Sequence, residues 1–206
     1  MFPKNVWAWG LTMVCAYLLG SFSTSITVSK LFYHQDIRQM GSGNAGATNT
    51  LRNFGAHKAL LVMLGDGLKA VLAMWMARWL VGPEAMLYAG GVAVLGHIFP
   101  VYYGFQGGKG VMSAAAMILA FDWRMFLIML AVFASTVLLT RIVSLASILA
   151  AVSFLPSMLL FHRDNLWYVL FSGGLAAVVI WKHRSNIRRL KQGTESKLGD
   201  SNKNKR

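Results

Sequence analysis

The residues best suited to chemistry in this sequence fall into three clusters. Gly41 to Arg52, GSGNAGATNTLR, combines glycines at 41, 43 and 46 with Ser42, Asn44, Thr48 and Asn49, a fixed cation at Arg52, and no acidic side chain. Glycines let backbone N–H groups approach a ligand closely, and a guanidinium pairs two oxygens of a phosphate at once. The stretch reads as an anion cradle or, because Gly, Ser and Asn also build turns, as an ordinary loop. The second cluster, Gly96 to Ser113, GHIFPVYYGFQGGKGVMS, sets Gly107, Gly108 and Gly110 around Lys109 directly before an apolar helix. Backbone N–H groups and the positive helix end would then face an anion held by the lysine. The pattern GxxxxGK[ST] is not met, since Gly104 and Gly108-Lys109 are spaced one short and Gly110 replaces the hydroxyl residue, which argues against nucleotide hydrolysis of that kind. The third, His183 to Lys197, HRSNIRRLKQGTESK, is basic. After an apolar helix such a stretch serves as a topology signal or a lipid-headgroup patch, while His183, Asn186 and Glu195 could close a site from below.

The elements that must hold these clusters are membrane helices. The chain of 206 residues is 56% hydrophobic, carries 12 Met, 12 Phe and 7 Trp, and is only 13% charged, where a soluble domain would have about a quarter. Mean hydropathy is +0.51. A bilayer crossing needs about 20 apolar residues. Seven stretches qualify as candidates: 6–29, 57–79, 85–103, 110–121, 124–140, 143–161 and 166–181. The expected fold is all-α, a polytopic membrane protein of about seven transmembrane helices. The first stretch is read as an uncleaved helix rather than a signal peptide, because Lys4 alone is a thin basic region and the apolar run continues past Ser21 and Ser23.

Charge orients the chain. One set of connections holds Lys4, Arg78, Arg124 and Arg163; the other holds Arg38, Arg52, Lys58, Lys109, Arg141 and a tail rich in Lys and Arg. The positive-inside rule then puts the amino terminus outside and the carboxyl terminus in the cytoplasm. All three clusters, with the turn at Arg141, share the cytoplasmic side. The opposite turns, around Gly82-Pro83-Glu84, Asp122-Trp123-Arg124 and His162-Arg163-Asp164-Asn165, read as simple connections. The net charge of +13 fits an anionic membrane surface or an anionic substrate better than nucleic acid, for which no soluble recognition domain is left over. Cys15 is the only cysteine, so an intrachain disulfide or cysteine-based metal site is impossible.

The fourth stretch is short. Lys109 to Phe121 spans only about 20 Å against a hydrocarbon core of about 30 Å. Either Lys109 lies below the boundary in a loop lining a polar cavity, or it snorkels to the surface beside a tilted helix. Asp66 and Lys69, three apart, can meet as a buried ion pair or act directly. His97 is a candidate base or a hydrogen-bonded core histidine. Ser144 and Ser147 begin a helix on the active face or help helices pack. Acidic residues are too scattered for a paired-carboxylate mechanism, and no histidine pair has metal-ligand spacing.

Taken together, the clusters resemble the bacterial acyl-phosphate-dependent glycerol-3-phosphate acyltransferases, small integral membrane enzymes. Ser42 to Arg52 fits that family's first motif, Gly96 to Val111 its second, and Asn186 to Lys197 its third. Met112 and Ser113 replace the usual Ala and Thr, and Ala70 the usual Gly. The resemblance implies a single transmembrane acyltransferase domain over 1–198 followed by a polar, disordered tail over 199–206. It implies acyl transfer from acyl phosphate to the 1-hydroxyl of glycerol 3-phosphate, giving 1-acylglycerol 3-phosphate and phosphate, without cofactor or metal. Membrane lipid is the other expected partner. Ser42, Arg52, Lys109, His183 and Asn186 are the implied catalytic contacts. Gly43, Asn44, Gly46, Thr48, Asn49, Gly107, Gly108 and Gly110 would shape the acyl-phosphate pocket, with His97, Ser144 and Glu195 as further substrate-binding candidates. An organic-phosphate transporter is the rival reading, since polar loops at membrane depth also describe an anion pathway. A scaffold binding anionic lipid through its basic tail is a third.

Overall fold

Apolar runs that leave no water for the backbone must pair their own N–H and C=O groups, and this chain does so with helices. The structure, a computed structural model, describes residues 5–199, and among them no strand occurs. The chain divides into two compact units, Met1–Phe121 and Asp122–Arg206. The expected tail lies outside the described residues apart from Gly199.

The first unit contains α1 (Val6–Ser21), α2 (Thr24–Tyr33), α3 (Ala47–Leu80), α4 (Met86–Ile98) and α5 (Val111–Phe121). The predicted first helix, 6–29, is thus two helices. Phe22 ends α1 in an extended conformation and the Ser23 side chain caps the next helix. The predicted 57–79 helix begins ten residues earlier, at Ala47, and bends at Gly55, whose φ of 83° only glycine adopts readily. Helices α1, α3, α4 and α5 pack on one another through small residues. Ala16, Ala73, Ala77, Ala85, Ala89 and Ala93 form one buried cluster, and Gly96 lets α4 meet the Tyr17 and Ser21 backbone of α1 directly.

The second unit contains α6 (Trp123–Thr140), α7 (Val143–His162), α8 (Leu166–Lys182) and α9 (Arg184–Lys191). Short turns make α6, α7 and α8 run up, down and up, so Asp122 and His162 share one end and Arg141, Ser144 and His183 the other. The turn at the Asp122 end is more than a simple connection. Asp122 caps α6 by accepting from the Arg124 N–H at 2.9 Å, pairs with the Arg124 guanidinium at 2.7 Å, and lies 2.9 Å from His162 Nε2. The bonds from Arg124, joined by that to His162, outweigh burial and hold the Asp122 carboxyl far below the ordinary aspartate range.

Among the described residues, five helical stretches are long and apolar enough to cross a membrane: Val6–Tyr33, Ala47–Leu80, Pro83–Tyr103, Trp123–Thr140 and Val143–His162. The α8–α9 pair, bent by 57°, makes a sixth if counted as one. The remaining predicted stretch, 110–121, is the 11-residue α5, about 17 Å long. Its brevity has a local cause. Gly110 packs on Val94 and Ile98, so the chain folds back along α4 before α5 starts.

The Gly96 contact yields a test. Gly96→Leu drives a side chain into the α1 backbone, an overpacking cost of about 1–3 kcal/mol, and lowers the melting temperature in detergent by roughly 2–10 °C. Gly174→Leu, where the added group meets open space, leaves it unchanged. Equal melting of the two variants would contradict the contact.

Candidate active site

In the first unit the motif from Gly41 to Arg52 is half loop and half helix: α3 begins at Ala47, so Thr48, Asn49 and Arg52 stand on its first turns. The loop is folded around Asn49. Its Oδ1 accepts from the Ser42 N–H at 3.0 Å and from Asn53 Nδ2 at 3.1 Å, while its Nδ2 donates to the carbonyls of Ile37 at 3.1 Å and Met40 at 2.9 Å. Those four bonds use the side chain's full capacity. Asn49 therefore shapes the loop and has no hydrogen bond left for a ligand. Gly41 is needed beside it, since its φ is +54° and a Cβ there would stand 2.5 Å from Asn49 Oδ1. The Ser42 side chain and Arg52 are exposed, whereas Asn44, Gly46 and Thr48 are half-buried and Gly43 is exposed at a φ of 70°.

The second loop is hung on the end of α4. The Gly108 N–H donates to the His97 carbonyl at 3.2 Å. A side chain at Gly107 would collide with that same carbonyl, and one at Gly108 with His97 Nε2 and the Ala45 carbonyl. The two loops thus meet at Gly108, and half-buried Lys109 follows at once. A second tie is Arg38, which donates to the Tyr103 carbonyl at 2.8 Å while ion-pairing with Asp36 at 2.7 Å. The Arg38 bond, opposed by burial, holds the Asp36 carboxyl below the ordinary aspartate range. Arg38 counts in the sequence only as a cytoplasmic charge; its D-x-R spacing from Asp36 is the one local signal of the pairing.

His97 itself is buried, 4% exposed, and lies against the predicted pair of Asp66 and Lys69. Lys69 Nζ is 3.0 Å from Asp66 Oδ1 and 2.9 Å from His97 Nδ1, and donates to the Phe22 carbonyl at 2.7 Å. Ser113, from the start of α5, donates to the Asp66 carbonyl at 2.8 Å. The ion pair read from the i,i+3 spacing is present, and it is joined by a histidine 28 residues further along the chain.

In the second unit the third motif closes on the Arg141 turn. Glu195 accepts through Oε1 from Ser144 Oγ and Asn186 Nδ2, both at 2.7 Å, and through Oε2 from Arg189 Nε at 2.7 Å. The Leu198 N–H donates to the Arg141 carbonyl at 2.8 Å. Glu195 is thus committed to holding Ser144 and Asn186 in place. His183 is 1% exposed, and its Nδ1 lies 2.8 Å from the Val179 carbonyl. A carbonyl only accepts, so Nδ1 carries the proton. His183 precedes Asn186 by three residues, nearly one turn, on adjoining helical segments.

Burial pushes the Glu195 carboxyl up, but the bonds from Ser144, Arg189 and Asn186 outweigh it and hold the group below its ordinary value of 4.5. A depressed folded-state value means the clamp contributes fully above pH 4.5 and is lost as pH falls through that lower value. Glu195→Gln removes the charge that strengthens these bonds, worth about 1.5 kcal/mol per bond. Limited trypsin digestion in detergent at neutral pH should then cut after Lys191 and Lys197 roughly tenfold faster than in the parent. Unchanged cleavage would mean that Glu195 does not tether this segment.

Comparison with known proteins agrees with this architecture over nearly the whole chain. The family described as Glycerol-3-phosphate acyltransferase matches residues 10–193. A glycerol-3-phosphate acyltransferase of Alkaliphilus metalliredigens is 41% identical over 92% of this chain and 95% of its own, and one of Finegoldia magna 42% identical over the same shares. The crystal structure of PlsY (YgiH), an integral membrane glycerol 3-phosphate acyltransferase, in its glycerol 3-phosphate form superposes with a TM-score of 0.86 at 34% identity, covering 93% of this chain and 96% of that one. Its lysophosphatidic acid form gives 0.83 at 33%, covering 93% and 95%. On the extent of that match, the chain belongs to the glycerol-3-phosphate acyltransferase family of integral membrane proteins.

Proposed function

We propose that this chain transfers a fatty acyl group from acyl phosphate to the 1-hydroxyl of glycerol 3-phosphate, producing 1-acylglycerol 3-phosphate and inorganic phosphate for phospholipid synthesis. The observation that carries the reading is the meeting of two glycine-rich, basic loops at Gly108, with Lys109 beside the junction and exposed Arg52 on the helix that the first loop opens. Family membership supplies the reaction class, and the solved relatives named for glycerol 3-phosphate and lysophosphatidic acid supply the acceptor and product.

Both substrates are anions, so their approach is opposed by charge. Arg52 and Lys109 lower that repulsion, with loop N–H groups as further donors. Ser42, Asn44, Gly43, Gly46 and Thr48 line the first loop; Gly107, Gly108 and Gly110 let the second lie close to the donor. In the reaction the 1-hydroxyl oxygen attacks the acyl carbonyl carbon, the bond from that carbon to the phosphate oxygen breaks, and the hydroxyl proton leaves with the departing phosphate. Acyl phosphate is a mixed anhydride with a good leaving group, so no protein nucleophile is required and proximity supplies much of the rate. Ser144 and Asn186, both held by Glu195, and His183, one turn before Asn186, are the second unit's own candidates for binding a phosphate-bearing substrate. Units one and two are read as one acyltransferase domain over 1–198.

The protein is integral to the membrane. Our reading of its orientation is the bacterial cytoplasmic membrane, with seven crossings, an external amino terminus, and the site facing the cytoplasm, supported by the Lys and Arg distribution.

Purified protein in detergent, given acyl phosphate and glycerol 3-phosphate, should release phosphate and form 1-acylglycerol 3-phosphate, with no turnover from acyl-CoA. Lys109→Ala and Arg52→Ala each abolish turnover, at least a hundredfold, and His97→Ala lowers it less. Movement of glycerol 3-phosphate only across sealed vesicles, without acyl transfer in detergent, would favour a transporter; a trapped acyl-enzyme or an active Lys109→Ala would overturn the mechanism.

A further inference from the structure

The buried cluster of Asp66, Lys69 and His97 lies outside the two anion-binding loops. A lysine ammonium has three N–H bonds and no acceptor. Here two hydrogen-bonding atoms and a counter-ion surround it: the Phe22 carbonyl at 2.7 Å and His97 Nδ1 at 2.9 Å, with Asp66 Oδ1 ion-paired at 3.0 Å. With the ammonium donating to Nδ1, the remaining ring proton sits on Nε2. That nitrogen and the Ala45 carbonyl oxygen both abut the point a Gly108 side chain would occupy. His97 Nδ1 also lies 3.4 Å from Asp66 Oδ1; in the tautomer in which Nδ1 accepts from Lys69, the ring turns an acceptor side to Lys69 and a donor side to the place where the two loops join.

We propose that Lys69 is a positioning residue for acyl transfer: it fixes His97 as the Nε2–H tautomer, whose N–H donates toward the Ala45 carbonyl and holds the 41–46 loop against the glycine loop that carries Lys109. The effect on catalysis passes entirely through His97 and the loop contact. Asp66 Oδ1, 3.0 Å away, is the counter-ion of the buried lysine, and the Ser113 bond to the Asp66 backbone ties the start of α5 to the same cluster. With Ala45 O drawn toward the histidine, its negative end is engaged by a donor. Loss of the tautomer frees that carbonyl and loosens the junction, which weakens binding of both phosphate-bearing substrates. The catalytic consequence rests on the function proposed above; the tautomer does not.

Two measurements test the idea. In protein with ¹⁵N-labelled histidine, NMR in detergent should show His97 with Nδ1 unprotonated and Nε2 protonated. Lys69→Met leaves Asp66 buried without a cation and is prone to misfolding, so the informative variant is Asp66→Asn with Lys69→Met, which removes both charges. It should keep a folded spectrum, lose the single tautomer, and raise KM for glycerol 3-phosphate and acyl phosphate about tenfold, with a smaller change in kcat. His97→Gln places an amide N–H near the Nε2 position and should retain at least five times the kcat/KM of His97→Asn, whose amide reaches only the Nδ1 position. A parent spectrum with Nδ1 protonated, an unchanged tautomer in the double variant, or equal activity of the Gln and Asn variants would overturn the proposal. If the parent fails to transfer acyl groups while the tautomer is as stated, the reaction assignment fails and the Lys69–His97 geometry stands.

Discussion

Non-helical backbone in an apolar surrounding survives only if each exposed N–H and C=O finds a partner in the protein. The rest of this structure follows from how that demand is met. At the break between α1 and α2 the Phe22 carbonyl is given to Lys69. At the first loop the carbonyls of Ile37 and Met40 are given to Asn49. At the second, Arg38 takes the Tyr103 carbonyl, and Gly108 pairs with His97. Long side chains and amides replace the water that a soluble protein would use, and the residues that do so sit beside those proposed to meet the substrates.

The two units solve the problem in the same way. Asn49 in one makes all four of its hydrogen bonds and Glu195 in the other accepts three, and each thereby sets the position of a segment that carries reactive-looking residues. Neither is available for much else. The division of labour matters for chemistry: groups saturated by the fold give rigidity, and exposed cations such as Arg52 give charge. A site for two anions needs both, because screening charges on loose loops would cost ordering entropy each time a substrate arrived.

Much of the architecture was legible in the sequence because apolar runs of sufficient length leave few alternatives. The helices from 85 onward begin and end within a few residues of the apolar runs that predict them. What could not be read was where a continuous run breaks. Nothing in hydropathy marks Phe22 as the end of a helix, and α3 starts inside a stretch whose Gly and Asn content suggests a loop. The Asp66–Lys69 pair follows from helical spacing, whereas its meeting with His97 depends on how α3 and α4 pack. The turn at Asp122 reads as plain in the sequence because one of its partners, His162, is forty residues away. Among the candidate site residues, the glycines and cations suggest anion binding by their type alone; Asn49 and Glu195 do not reveal themselves as clamps, since a ligand contact and a loop clamp call for the same amide or carboxylate.

The break at Phe22 has one more consequence. Only its carbonyl takes part, exposed because α1 stops there and Ser23 begins a new helix. The side chain at position 22 can therefore drift through many identities without cost to the cluster. The shape of the chain cannot. A change at Ser23 that let α1 and α2 fuse into one smooth rod would send the Phe22 oxygen into an ordinary helical bond and leave an ammonium short of an acceptor two helices away. What positions 22 and 23 must preserve is a bend, and the residue that feels its loss most is one the bend does not contain.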